Sequence, residues 1–301
     1  MSDPASGAGG AAEILDRGYR RYDGPRSGVA GSIRSVARQT AMRALGMRRS
    51  IGHKVLPAIT IFFAYVPAIV FVGISALLDT EELRMTGEFV LPTYGEYYGY
   101  IIAAIFLFTA LVAPEVLCTD RRSGMLGLYL ASPLTRDTYL VAKAAAVTGV
   151  LAVVTIGPPL LMLIARTLDG TGPEGFSGFL DLLGKVLLSG VVVTVLYTSI
   201  SLAVSSFTTR RAFASAAIIL IFGVSAFVDG TITEGGVPPE WFVLNIAELP
   251  IELVFRIYGD VASNPASMGA QTGVLVAGYL AWTFLALGIL RARYQRATVT
   301  R

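Results

Sequence analysis

The 301-residue chain is 54% hydrophobic and 15% charged, with a single cysteine and a single histidine. A soluble domain carries roughly 25% charged residues, so a soluble globular chain is excluded, and one cysteine cannot close an intrachain disulfide. One His and one Cys argue against a catalytic zinc or haem site, and the basic residues behind the net charge of +3 form no stripe with interleaved aromatics, which argues against a nucleic-acid partner.

Residues 1–12 are Gly, Ala and Ser with few charges, and 1–29 as a whole reads as a flexible cytoplasmic N-terminus. Within it, 13–28 is polar, aromatic and turn-rich, suited to lipid headgroups or a partner. No apolar core occurs in the first 30 residues, so the first span is expected to target the chain. Residues 30–54 follow as an amphipathic helix. Ile33, Val36, Ala37, Thr40, Ala41, Ala44 and Leu45 recur at three- and four-residue steps, and Arg34, Arg38, Arg43, Arg48 and Arg49 fill much of the remainder. An apolar face flanked by arginines predicts a helix lying in the membrane interface. The alternative is a helix packed on a cytosolic domain, for which the chain has no candidate.

Residues 55–290 hold six runs long enough to cross a bilayer, which takes about 20 apolar residues. They fall at 55–78, 98–117, 141–165, 184–207, 212–228 and 271–290, and 291–301 is a short tail. The fold class is therefore an all-α membrane protein with six transmembrane helices. The fifth run is short, and Pro158-Pro159 is expected to kink the third. Small residues (Ser199, Ser201, Ala203, Ser205 and Ser206, then Ala212, Ala214, Ser215, Ala216 and Ala217) allow close helix approach. All basic residues except Arg84, Arg166, Lys185 and Arg256 fall on one face, which the positive-inside rule assigns to the cytoplasm together with both termini.

The loop after the second run opens with Asp120, Arg121 and Arg122. After Gly124 it crowds Met125, Leu126, Leu128, Tyr129 and Leu130 on one apolar side, and Ser132, Pro133 and Leu134 end it. Taken alone this is an ordinary interhelical loop. Between two spans, a small helix on a polar base suits a plug that docks into another protein. The outer loops 79–97 and 166–183 are polar and turn-rich. The last, 229–270, is too apolar for a free loop and too interrupted for a span. It is expected to form one or two short helices, either a re-entrant outer gate with Trp241, Phe242, Leu249 and Phe255, or an interfacial cap.

Several chemistries are missing. There is no G-x-x-x-x-G-K-[ST], H-E-x-x-H or G-x-S-x-G, and no convergent polar site for a lipid or peptide enzyme. Glu81-Glu82 reads as solvated, and Cys118 as a small buried residue. Ionisable residues are nearly absent from the span centres, where ion-coupled carriers place them, so the driving energy is expected from outside the membrane.

The run from Asp120 through Ser123-Gly124-Met125-Leu126-Gly127-Leu128-Tyr129-Leu130-Ala131-Ser132-Pro133-Leu134-Thr135-Arg136, with Lys143 beyond it, resembles the coupling loop of membrane subunits of type-2 ATP-binding-cassette (ABC) exporters. The interfacial helix, the six spans and the partly buried segment before the sixth extend the resemblance over about 30–295. The family usually carries an acid where this chain has Gly127. The resemblance implies a permease with two copies of a separate ABC ATPase subunit that holds ATP and Mg, and no cofactor in this chain. It also implies a second permease subunit, the same or a related chain, in a bacterial inner membrane. The weakly charged spans favour an amphiphilic, lipid-like or drug-like cargo. The alternative is a non-transporting membrane anchor or assembly factor.

Overall fold

The computed structural model describes residues 24, 28–47, 50–77, 92–130 and 133–296. Arg48, Arg49, Ser132, the loop 79–91 and most of 1–29 therefore lie outside the described residues. Among those described, eleven α-helices and two 3-10 turns carry the fold. In chain order they are α1 (Gly28–Ala44), α2 (Ile51–Leu77), α3 (Tyr94–Leu111), α4 (Pro114–Arg122), α5 (Leu126–Leu130), α6 (Arg136–Thr155), α7 (Gly157–Leu168), α8 (Gly175–Ser205), α9 (Arg211–Gly235), α10 (Leu249–Tyr258) and α11 (Thr272–Gln295). The 3-10 turns, Pro239–Leu244 and Pro265–Ser267, flank α10.

Six helical stretches among the described residues are long and apolar enough to cross a membrane: α2, α3 with α4, α6 with α7, α8, α9 and α11. They coincide with the six runs read from the sequence. The fifth is longer than its apolar core, because α9 continues past Asp229 through the polar turn 230–235. The third is broken at Ile156, as its proline pair predicts. The second is also broken, at Val112–Ala113, because Pro114 has no N–H to continue the ladder.

Helices α3 and α8 form the centre, buried over most of their length, whereas α2, α9 and α11 are buried over little more than a quarter. Around that centre α2 packs on α3 and α7, α6 and α11 pack on α8, and α10 sits across the outer ends of α3 and α8. Apolar burial does not distinguish this arrangement from lipid contact, since lipid tails are as apolar as leucine. Polar bonds between helices supply part of the specificity, and five tyrosines make them.

Pro159 removes the N–H that would have met the carbonyl of Thr155, and the Tyr98 hydroxyl of α3 donates to that oxygen at 2.9 Å. Tyr97 donates to Ala64 O at 2.5 Å and Tyr65 to Val153 O at 3.1 Å. Tyr279 of α11 reaches Val192 O of α8 at 3.1 Å, and Tyr197 of α8 donates to Ala247 O. Of these carbonyls, that of Thr155 has lost its helical partner to Pro159, and the others gain a donor from a neighbouring segment.

Close approach needs small residues as well. At Gly190 of α8 an added Cβ would run into the side chain of Ile156 at the α6–α7 break. Gly190→Ala should therefore destabilise the detergent-solubilised protein by about 1–3 kcal/mol. A second change, Ile156→Ala, should recover part of that loss in thermal unfolding, and losses that simply add would show the two sites do not meet.

Candidate functional site

The segment between the second and third spans is built on Asp120. The carboxylate lies in the last turn of α4 and is fully buried. Oδ1 accepts from Arg43 Nη1 of α1 at 2.7 Å. Oδ2 accepts from Lys143 Nζ of α6 at 2.5 Å and from the Tyr139 hydroxyl at 3.1 Å. Lys143, itself fully buried, also donates to Thr40 Oγ1 of α1 at 2.9 Å. Its ammonium lies 5.4 and 5.5 Å from the ring centres of Tyr129 and Tyr139, within cation–π range. One carboxylate thus joins α1, α4 and α6, and the charges compensate one another where water does not reach.

The rest of the motif turns outward around this base. Ser123 caps α4, with its Oγ donating to Thr119 O at 2.9 Å. Gly124 takes φ +66°, a left-handed conformation that glycine adopts without strain. The Met125 amide then returns to Asp120 O at 3.1 Å. This turn delivers α5, on which Leu128 is 65% exposed. Tyr129, on the same helix, faces inward, and its hydroxyl accepts from Arg43 Nη2 at 3.4 Å. Beyond α5, Pro133 is exposed and Leu134 buried. Thr135 caps α6 reciprocally with Thr138, its Oγ1 accepting from Thr138 N at 3.2 Å.

The predicted residues therefore separate. Asp120, Arg43 and Tyr129 come together inside. Arg121 turns toward the α8–α9 turn, where it donates to Ser206 O. Arg122, Gly124 and Leu128 face out, and Met125 and Leu130 are half-buried. Asp120, which opens the polar base of the loop, turns inward to two cations rather than outward with Arg122. Arg34 and Arg38 are exposed on α1 and do not reach the cluster. Helix α1 packs most extensively on α6, with Thr40 and Ala44 buried and Ile33, Val36, Ala37, Ala41 and Leu45 half-buried.

Lys143, Thr40 and Tyr139 complete the cluster without having been singled out as site residues. A lone lysine inside an apolar span was the available signal. A second pair, Arg211 and Glu115, was also missed. Arg211 Nη1 meets Glu115 Oε2 at 3.0 Å, and Nη2 meets Leu111 O, at the break before Pro114, at 2.7 Å. Cys118 is buried as expected, its thiol facing the carbonyls of Ser205 and Thr208.

On the opposite end, the segment before the last span folds as α10 between two 3-10 turns. Of the four residues assigned to an outer gate, Phe242, Leu249 and Phe255 are buried and Trp241 is exposed. The Trp282 indole donates to Val243 O at 2.8 Å. Asp229 of α9 receives Asn245 Nδ2 at 2.8 Å and Asn264 Nδ2 at 2.6 Å, and Asn264 Nδ2 also meets Glu248 at 2.9 Å. Buried Glu252 is bound by Arg256, Ser263 and Ser267. No group of His, Cys, Asp and Glu among the described residues could hold a metal ion.

The architecture is that of a six-span helical membrane protein with a small apolar knob on an ionic base between its second and third spans. Residues 44–297 match the family described as ABC-2 family transporter protein, and the chain belongs to that family. A search of curated proteins returned no match. Membership makes the chain the membrane-spanning permease component of an ABC transporter and implies an ABC ATPase subunit as partner.

Burial pushes the Glu248 carboxyl above its usual value of 4.5; the Asn264 hydrogen bond opposes this, and the Asp229 and Glu252 charges add to it. With a raised folded-state pKa, its contribution is most favourable below 4.5 and is lost as pH rises through the folded value. Glu248→Gln should raise the thermal midpoint at neutral pH, with the gain shrinking toward acid pH. A gain independent of pH would contradict the assignment.

Proposed function

We propose that this chain is the permease of an ATP-driven exporter, and that the segment 120–134 seats α5 in a cleft of a separate ATPase subunit. The observation that carries this is Leu128. A large apolar side chain stands exposed on a five-residue helix between two spans, on a base too strongly paired to shift by itself. An apolar knob of this kind is unfavourable in water and gains from a pocket that covers it.

Two permease subunits and two ATPase subunits would complete the transporter. The little-buried faces of α2 and α9, with Phe62, Phe63, Phe213 and Phe227 exposed, offer surface for both lipid and a second permease. ATP and Mg belong to the ATPase, which then supplies the energy that the weakly charged spans do not. The same spans favour an amphiphilic cargo. In this reading α5 and both termini lie in the cytoplasm, which the sorting of basic residues supports, and the membrane is a bacterial inner membrane.

The test is Leu128→Asp, an exposed position whose change leaves the fold intact. Putting a charge into an apolar cleft should weaken capture of the ATPase by the permease about tenfold or more, roughly 1.4 kcal/mol or more. Quantitative pull-down from co-expressing cells measures it. Undiminished capture would remove α5 as the docking element, and a complex that forms but moves no amphiphile would favour the anchor.

A further inference from the structure

The three charged residues that open the coupling motif face three different ways. Arg122 faces solvent, Arg121 reaches Ser206 O at the end of α8, and Asp120 points inward to α1 and α6. We propose that Asp120 is a positioning residue, a buried ionic clasp that makes α1, α4, α5 and the cytoplasmic end of α6 move as one body. This deepens the permease reading and rests on α5 being the docking element. A displacement imposed on α5 then reaches α1 and the third span together, without a flexible step between them.

Three observations carry the inference. First, the carboxylate is divided between helices. Oδ1 belongs to α1 through Arg43, and Oδ2 to α6 through Lys143 and Tyr139. Second, every side-chain polar bond from α1 to another element, among the described residues, runs to this cluster. Arg43 reaches Asp120 and Tyr129, and Thr40 receives Lys143. Third, α5 is joined to the same group. The Tyr129 hydroxyl accepts from Arg43, its ring lies beside the Lys143 ammonium, and it packs on the Tyr139 ring at 5.4 Å between centres.

A clasp of this kind does not open in stages. Asp120 and Lys143 have no exposure, so withdrawing either partner alone strands a charge in an apolar surrounding. The low-cost motion keeps all the bonds and shifts the attached helices together. Removing the carboxylate charge should uncouple α1 from α5 while leaving the docking face of α5 as it is. The amide of Asn keeps a single acceptor oxygen and no charge, so it can hold Arg43 or Lys143 but not both.

The experiment uses the full chain in lipid nanodiscs with its co-purified ATPase. Spin labels are placed on exposed Gln39 of α1 and exposed Ser123 after α4, with Cys118 replaced by Ala. With the clasp intact, the distance between the labels should be narrow and the same with and without Mg and a non-hydrolysable ATP analogue. Asp120→Asn should broaden it while pull-down of the ATPase persists. Should Asp120→Asn fail to reach the membrane intact, Arg43→Ala decides, since it cuts the α1 arm of the clasp and leaves Asp120 paired with Lys143 and Tyr139. Broadening supports the clasp.

A distance that changes with nucleotide in the intact clasp, or one that stays narrow in the variant that folds, overturns it. Failure of the docking reading is separate. If Leu128→Asp keeps its ATPase while the distances behave as expected, docking falls and the clasp stands. If Leu128→Asp releases the ATPase but the distances do not respond, the clasp alone falls.

Discussion

A carboxylate with no access to water constrains the end of this protein that carries α1, α4 and α5. Asp120 holds one cation from α1 and one from α6, and breaking a buried pair of this sort costs about 3–5 kcal/mol when one partner is removed. Two cations against one anion leave an excess positive charge. The rings of Tyr129 and Tyr139 present their electron-rich faces to Lys143, and Arg43 remains partly exposed, so the excess is shared between aromatic faces and solvent. The knob that carries Leu128 is therefore mounted on a rigid base. The neighbouring ends are tied in similarly, with Asp137 pairing Arg291 of α11 at 3.2 Å and Arg293 lying over the Phe207 ring.

Inside the membrane the problem is different. Apolar contact gives little preference for helix over lipid, so the bundle depends on close approach and on polar bonds. Prolines create the need for some of these bonds. Pro114 and Pro159 each interrupt a helix, and the carbonyls around the interruptions are met by Arg211 and Tyr98. At the outer end Asp229, Asn245, Asn264 and Glu248 tie α9 to the turns flanking α10. The segment around α10 is thus bonded to α9, and the lightly buried α2, α9 and α11 present the most surface to lipid or a second subunit.

Much of this was legible in the amino-acid sequence because the bilayer imposes a length. Six apolar runs and a one-sided distribution of arginine are coarse signals that no tertiary contact is needed to read. The motif at 120–134 was legible as a unit for the same reason, a polar opening and an apolar turn trapped between two spans. The inward turn of Asp120 was not, because it depends on how α1 and α6 pack on α4, Arg43 being 77 residues away. Amphipathicity shows that α1 has an apolar side but not whether lipid or α6 covers it. The segment at 229–270 shows the same limit. Its aromatic residues signal burial, yet whether they line a mouth or fill a cap depends on Trp282, Tyr197 and Asp229 contributed by three other helices.

The central claim is that an apolar knob on this base meets an ATPase in the cytoplasm. Side-specific labelling of a single cysteine at position 128 tests it most directly, in sealed vesicles of either orientation that contain the chain with and without its ATPase. The account predicts labelling by an impermeant thiol reagent only in inside-out vesicles, and protection when the ATPase is bound. Labelling from the outer face, or equal labelling with the ATPase present, would contradict it.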